Sequence, residues 1–468
     1  MGKTRNKIII LVFLLSLISV VAESDLSYQT FDVQLEGEVD LDYTSSRSRL
    51  VDFTSELSFF PKNYYNQEVL KLDLNSNPRA SIKKGRNVVF KWRDVKERSL
   101  NYGFDSDVKV KMLIPRIDKE IAYPNGFILE ENIPYTKKTE YIDINSDIKD
   151  KAKEITRNSD DLYEAVFKIA EWIRQNIEYD LNTLTEEALQ KSSWVLENKY
   201  GVCDEITNLF ISLLRSLKIP AKYVVGIAYT DSVEEGWAPH AWAEVYFDGY
   251  GWVPFDITFG QYGWVDAGHI KFDESFDSKK SSVEYNWKAV KIDLESKEFG
   301  LKSEIIEKGE KILPFVSLDV QIMKNKVGEG SFVPIEVTVK NLQPYYLTTL
   351  VYVTSAPIVI GDNTQAVMLG PLKEKKIYWL IKVGEDLSSG FLYKANVGVG
   401  NNFGASAESK LDSANTYPVF SEEEARFMMK RAEQGLEPLL EKDVREKKEE
   451  RGNIIGDFLD WLFSGFDD

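Results

Sequence analysis

Hydrophobic and polar positions alternate in two long stretches of the chain and follow a helical period between them. Phe31-Asp-Val-Gln-Leu-Glu-Gly-Glu-Val-Asp-Leu-Asp-Tyr43 has a strict period of two, the pattern of a strand with one buried face. Asn87-Val-Val-Phe-Lys-Trp92 and Val108-Lys-Val-Lys-Met-Leu-Ile114 repeat it, separated from the first by turn clusters such as Asn75-Ser-Asn-Pro78. Residues 23–140 therefore read as a β-sandwich-like domain. From about residue 145 the period lengthens. Ser159 reads as an N-cap before Asp160 and Asp161, and Leu162, Val166, Ile169, Ala170, Ile173 and Ile177 form a helical stripe. A second helix is expected over 186–198. A third opens near Cys203, carries Ile206, Leu209, Phe210, Leu213, Leu214 and Leu217 on one face, and stops at Pro220. Strands are expected at 221–229, 240–247 and 252–256, the last two joined as a hairpin by Asp248-Gly249-Tyr250-Gly251. Helices followed by an antiparallel meander make 141–285 an α+β domain.

Residues 286–315 read as a connector, and short strands then return over 316–412 as an immunoglobulin-like sandwich. Residues 413–468 read as a charged helix followed by an amphipathic tail. In the tail Asp457, Asp460 and Ser464 share one helical face and nearly all else is apolar. Its polar face carries Asp rather than the Lys or Arg usual in interfacial helices, which favours docking or self-association over a membrane surface.

Charge and composition narrow the functions. The 468 residues carry 58 Lys and Arg against 75 Asp and Glu, a net charge of −17. That balance argues against a non-specific nucleic-acid binder and against electrostatic attraction to anionic lipid. One Cys and two His exclude an intramolecular disulfide and any zinc site built from several Cys and His. At the N-terminus, Lys3, Arg5 and Lys7 precede an apolar run over 8–22 that ends in Val20-Val21-Ala22. This is the order of a secretory signal peptide cleaved before Glu23, which predicts an exported or cell-envelope protein. The alternative is an uncleaved anchor, although fifteen helical residues rise only ~22 Å against a ~30 Å hydrocarbon core.

The single cysteine lies in Gly201-Val-Cys203-Asp-Glu205, in the first turn of the third expected helix. A helix N-terminus favours anions and lowers a thiol pKa, so Cys203 is expected to be a reactive thiolate, although Asp204 and Glu205 oppose this. His240 opens one strand of the expected hairpin and Asp256 ends the other. Facing side chains there lie ~5 Å apart, so Asp256 can hold one imidazole nitrogen while the other serves the thiol. That is nucleophile, base and orienter. The bland reading is a buried cysteine and an unrelated structural histidine.

Four blocks then fall in a familiar order. Gly-Val-Cys-Asp-Glu, Leu213-Leu-Arg-Ser-Leu-Lys-Ile-Pro-Ala-Lys-Tyr-Val-Val-Gly226, His240-Ala-Trp-Ala-Glu-Val-Tyr246 and Gly251-Trp-Val-Pro-Phe-Asp256 resemble the transglutaminase-like family core. The resemblance spans roughly 155–275 and implies a papain-like fold with Cys203 as nucleophile, His240 as base and Asp256 as orienter. Where the family often has Asp-Pro-Thr, this chain has Asp256-Ile-Thr258, which keeps the carboxylate and loses the proline's rigidity. No upstream oxyanion donor stands out: Trp194 and Tyr200 are nearby, and the Cys203 N–H is the better donor. No spacing of acids resembles a calcium loop, so no metal or cofactor is expected. His269, in Asp266-Ala-Gly-His269, could line the cleft but reads first as structural or surface-exposed. Trp237, Trp242, Trp252 and Trp264 crowd the two later blocks and read as a candidate aromatic cleft or as packing.

The expected activity is acyl transfer on peptide or amide bonds through a Cys203 thioester. Hydrolysis is favoured over cross-linking because it needs no second binding site. A non-catalytic envelope scaffold or adhesion protein is the competing reading. A metal module built on Cys203, His240 and His269 is weaker, because it leaves Asp256 without a role.

Overall fold

The computed structural model describes residues 26–441 and 443, apart from 125, 127, 181–188, 231, 232, 234 and 280. The expected signal segment, the amphipathic tail and the start of the helix expected at 186 lie outside the described residues. Among the described residues no helix is long and apolar enough to cross a membrane.

The fold is α+β: a central domain of helices on an antiparallel sheet, with a β-sandwich on either side. The central sheet contains β1 (Ala221–Tyr229), β2 (Trp237–Phe247), β3 (Gly251–Asp256), β4 (Gln261–Tyr262) and β5 (His269–Ser275). Their order in the sheet is β4-β3-β2-β1-β5, so β5 crosses over to pair with β1 at the opposite edge from β4. The helices are α1 (Ser146–Ile155), α2 (Leu162–Asn176), α3 (Ser192–Asn198) and α4 (Cys203–Ser216). Asp161, rather than Ser159, caps α2, its side chain accepting from the Tyr163 N–H at 3.0 Å. Every residue of α4 from Glu205 to Arg215 is buried. Its apolar positions pack with α2 and with Ala241, Ala243, Val245, Phe247, Val253 and Phe255 of the sheet. Arg215 is fully buried and closes the end of α4 by donating to the carbonyls of Ala221, Lys137 and Phe276. Burial moves its guanidinium down to about 10.

The N-terminal sandwich extends well beyond the stretch expected from the pattern. Tyr28–Tyr43 is a strand whose Phe31, Val33, Leu35, Val39 and Leu41 are buried, as the alternation requires. It pairs with Ser99–Lys111 and also with Ile292–Ser296 and Gly300–Lys308. Val283–Val290 likewise joins Arg49–Leu57 in the second sheet. The segment expected as a connector over 286–315 is thus largely strand and completes the first sandwich. Its burial contrast is weak, and Trp287 and Ile306 face solvent, which hides the pattern from a reading based on periodicity. Ile227, Ile270 and Phe272 of the central sheet share the core of this sandwich.

The C-terminal sandwich runs from Val316 to Ser413, and the helix α5 (Glu422–Glu433) packs on it through Ala425 and Met428. Trp264, between β4 and β5, enters its core and donates from Nε1 to the Thr348 carbonyl at 3.1 Å. The two sandwiches therefore grip the segment that leads from β4 into β5.

Gly226 allows β5 to approach. It pairs with His240 on one side and Lys271 on the other, and a Cβ there would lie 1.9 Å from the Ile270 carbonyl oxygen. Gly226→Ala should destabilise the central domain by roughly 1–3 kcal/mol, a cost typical of overpacking. Gly85→Ala, whose nearest neighbour is 3.8 Å away, should stay within ~0.5 kcal/mol of the parent. Thermal melting followed by tryptophan fluorescence compares them, and equal melting of the two variants would refute the tight approach.

Candidate active site

Cys203 is the first residue of α4, with Val202 as the extended residue before it. The buried Glu205 side chain turns back to accept the Val202 N–H at 2.9 Å and so fixes the helix start. The two-residue parallel pairing of Glu178–Tyr179 with Tyr200–Gly201 brings Tyr179 alongside. Across from the helix start runs β2. Thr207 Oγ1 donates to the Ala241 carbonyl at 3.2 Å, and the Ala241 N–H favours the Cys203 thiolate. The residue next to His240 thus lies beside the start of α4.

His240 and Asp256 meet diagonally across the hairpin. The β2–β3 register pairs Ala243 with Phe255, which carries Asp256 opposite Trp242 and two residues from His240 on the same face. His240 Nε2 lies 2.6 Å from Asp256 Oδ2. A carboxylate only accepts, so Nε2 carries the proton and Nδ1 is left as the basic nitrogen. The other Asp256 oxygen, Oδ1, accepts the Phe259 N–H at 3.0 Å. This turn replaces the rigidity that a proline at Ile257 would give. Phe259 stands edge-on to the His240 ring at 4.8 Å, and Trp242 stacks beside it.

A fourth and fifth residue belong to the cluster. His269, at the start of β5, is buried, and its Nε2 lies 2.9 Å from the same Asp256 oxygen. Its Nδ1 lies 2.8 Å from Asp266 Oδ1. Asp266 is held in turn by the Gly268 N–H and by Gln261 Nε2. The expectation of a surface or merely structural His269 did not include this contact. Both its ring nitrogens face carboxylates, so both carry protons and the ring is an imidazolium. Burial alone would lower its pKa, but the charge of Asp266 and the hydrogen bonds to Asp256 and Asp266 raise it to about 10. Burial would likewise raise the Asp256 carboxyl, but His240 and then His269 hold it well below the usual carboxylate range.

The thiol differs from expectation. Cys203 is half-buried, and burial, followed by the charge of Asp204, pushes it well above an ordinary thiol, against the pull of the Ala241 N–H. Solvent reaching the half-exposed side chain tempers that rise. Sγ lies 3.7 Å from Asp204 Oδ1, which also accepts the Tyr223 hydroxyl at 2.8 Å. These surroundings favour the protonated thiol and work against the low-pKa thiolate expected from the helix terminus. Burial and the adjacent Asp204 charge act against the helix terminus here.

Trp194 and Tyr200, the upstream donors considered, pack edge-to-face on each other at 5.1 Å. Tyr179 is the tyrosine beside the sulfur, its hydroxyl raised first by burial and then by Cys203 and Asp204, and the sequence offers no signal for it beyond its place after α2. The four tryptophans do not form one cleft. Trp242 packs between His240 and His269, Trp252 lies against Tyr135 and Tyr246, Trp237 joins the first sandwich and Trp264 the second.

Metal binding is poorly served. Among the described residues, His240, Asp256 and His269 gather potential donor atoms within 4.8 Å, but both His269 ring nitrogens are already engaged, by Asp266 and Asp256. The other close acidic group, Asp32, Asp105 and Asp107, lies on the first sandwich with Lys71 bound to Asp105.

Comparison with known proteins covers the same region. Residues 149–257 match the family model described as the transglutaminase-like superfamily. The central domain is therefore a transglutaminase-like domain, and the matched span holds Cys203, His240 and Asp256 but ends before Asp266 and His269. An uncharacterised protein of Bacillus subtilis (strain 168), YebA, is 26% identical over 145 residues, 27% of this chain and 20% of its own length. The chain thus spans about a fifth of that relative. Among solved structures, a proposed cysteine protease of Cytophaga hutchinsonii is similar at 17% identity and TM-score 0.46, covering 60% of this chain and 91% of its own. Red sea bream transglutaminase is similar at 11% identity and TM-score 0.20, over 80% of this chain and 78% of its own. The CARDB domain of the PF1109 protein from Pyrococcus furiosus is similar over 22% of this chain and 94% of its own, at 18% identity and TM-score 0.18.

The His269 ion pairs make a sign-specific prediction about stability. Its folded pKa lies above the unfolded value of ~6.5, so its contribution is complete below that pH and is lost as pH rises through about 10. The stability advantage of the parent over His269→Gln should therefore shrink between pH 7 and 10. Melting temperatures across that range test it, and a constant or growing gap would contradict the imidazolium assignment.

Proposed function

We propose that the protein is an exported cysteine acyl-transfer enzyme that attacks peptide or amide bonds through a thioester on Cys203. The observation that carries the reading is the 2.6 Å pairing of His240 with the buried Asp256, on the strand that Thr207 ties to the helix of Cys203. In this reading His240 Nδ1 accepts the Cys203 proton as sulfur attacks the substrate carbonyl, since burial and Asp204 favour the protonated thiol. Asp256 holds the imidazole in the tautomer this needs and stabilises the imidazolium that forms. The carbonyl oxygen gains charge beside the Cys203 N–H at the start of α4, with the Tyr179 hydroxyl as the neighbouring side-chain donor. His240 returns its proton to the leaving amine, and the thioester remains. Water, deprotonated by His240, then attacks the thioester carbonyl, releasing the free acid and restoring the thiol.

Hydrolysis is favoured over cross-linking because water needs no binding site of its own. The substrate is a peptide or protein, and the protein acts outside the cytoplasm, from the order of basic, apolar and small residues over 1–22. The test is product analysis on a mixture of peptides, with and without a primary amine. Release of free acid that disappears in Cys203→Ala supports the hydrolase. Amine incorporation exceeding hydrolysis makes it a transferase. No Cys203-dependent product in either arm overturns the reading in favour of a scaffold.

Two substitutions follow from the roles. Asp256→Asn should leave the fold intact and reduce turnover by up to ~10⁴, the loss seen for the equivalent change in serine proteases. Activity within about tenfold of the parent, ~1.4 kcal/mol, would remove Asp256 from the mechanism. Asp204→Asn keeps an acceptor for Tyr223 but removes the charge that opposes the thiolate. Alkylation of Cys203 by iodoacetamide at pH 7 should then become several-fold faster, and an unchanged or slower rate would show that Asp204 does not set the thiol's resting state.

A further inference from the structure

We propose that His269 is a positioning residue for the acyl-transfer chemistry: a buried imidazolium, clamped between Asp266 and Asp256, that fixes the orienting carboxylate and balances its charge so that His240 can be a base. The inference rests on the acyl-transfer reading for its purpose, but its physical content stands on the geometry alone.

A carboxylate 2.6 Å from His240, buried and balanced by nothing else, would favour the charged imidazole strongly. A base that already holds its proton cannot accept one from a thiol. His269 answers this from the same atom. Both imidazoles meet Asp256 Oδ2, at 2.6 Å and 2.9 Å, so the positive ring of His269 offsets the carboxylate where His240 feels it most. Asp266 is what keeps His269 charged, and Gln261 and the Gly268 N–H keep Asp266 in place. The four side chains run in line as Asp266 negative, His269 positive, Asp256 negative and then His240. When His240 takes the thiol proton the alternation is complete. No proton need pass along the chain: each of the inner groups keeps its charge throughout.

Other ionisable groups face the cluster and differ from His269 in effect. Cys203 and Asp204 approach from α4, and Tyr179 from the strand before it. Tyr262 approaches from β4, its hydroxyl raised by burial and further by Glu171 and Asp256. The tyrosines are neutral and Asp204 is negative, so among the described residues that these contacts bring to Asp256, His269 supplies the compensating positive charge at rest. Its strand makes this possible. β5 reaches the site only by crossing to the far side of β1, where Gly226 lets it close in.

The experiment uses the full chain labelled at histidine, followed by NMR between pH 5 and 9. With only two histidines in the sequence, His269→Gln leaves a single imidazole signal, which assigns both. In the parent, one imidazole should stay charged beyond pH 8, and this is the signal that His269→Gln removes. In that variant the titration midpoint of His240 should rise by at least about one pH unit, a tenfold gain in proton affinity. The acid limb of the pH profile for Cys203 alkylation should move with it. Asp266→Asn provides a check that keeps both rings, and should bring the His269 midpoint down into the measured range. The proposal is overturned if both parent imidazoles lose their protons below pH 7. It is also overturned if His240 in a His269→Gln variant that melts cooperatively keeps its midpoint within ~0.3 unit, since a purely structural histidine would leave it there. Should His269→Gln fail to fold, the parent and Asp266→Asn titrations decide the matter. None of these readings needs turnover: if the midpoints move as stated but no thioester forms on any acyl donor, the charge balance stands and the acyl-transfer reading falls.

Discussion

A fully buried carboxylate, Asp256, is the constraint around which the centre of the molecule is organised. Removing such a charge from water costs several kcal/mol even after relaxation, and only close partners with good geometry offset it. Asp256 has three: the imidazoles of His240 and His269 and the backbone N–H of Phe259. Each comes from a different piece of chain, on β2, on β5 and in the turn after β3. Satisfying this one group therefore requires the hairpin register, the crossover of β5 and the tight turn at Ile257 all at once. The two sandwiches contribute by holding the ends. Ile270 and Phe272 anchor β5 in the core of the first, while Trp264 anchors the approach to β5 in the second.

The sulfur is placed by a separate device. Helix α4 is buried along its length, capped at its start by Glu205 and tied at its end by Arg215. That rigidity presents Cys203 to β2 at a fixed position, which is how a nucleophile is held ready without a flexible loop. The electrostatics around it oppose the thiolate: burial and Asp204 outweigh the Ala241 N–H that favours it. A nucleophile of this kind depends on its base, which is why the charge state of His240 matters more here than the helix dipole.

Much of the arrangement was legible in the sequence because local patterns encode it. The alternation over 31–43, the apolar stripe from Ile206 to Leu217 in the third helix, and the Asp-Gly-Tyr-Gly turn each report on a few neighbouring residues, and the turn pointed to the pairing of His240 with Asp256. What was not legible is what depends on chain crossings. His269 lies only thirteen positions after Asp256, but β5 pairs with β1 rather than with β4, and no periodicity announces that. The strands from Val283 to Lys308 return to a sandwich begun at Tyr28, and their half-exposed positions carry little contrast. For the thiol, the helix terminus and the adjacent acids were visible in the sequence, but the burial of the sulfur and the 3.7 Å approach of Asp204 Oδ1, which oppose the thiolate, depend on where the side chains pack.

The central claim is that Cys203 becomes a covalent acyl carrier by way of His240. The most direct measurement is rapid acid quenching of the full chain mixed with an activated acyl ester, followed by mass spectrometry of the peptide that contains Cys203. The account predicts a mass increase equal to the acyl group on Cys203, formed within seconds, lost again on longer incubation, and absent in His240→Ala protein that remains folded. No adduct on Cys203, or an adduct that forms equally fast without His240 or in the denatured chain, would contradict it.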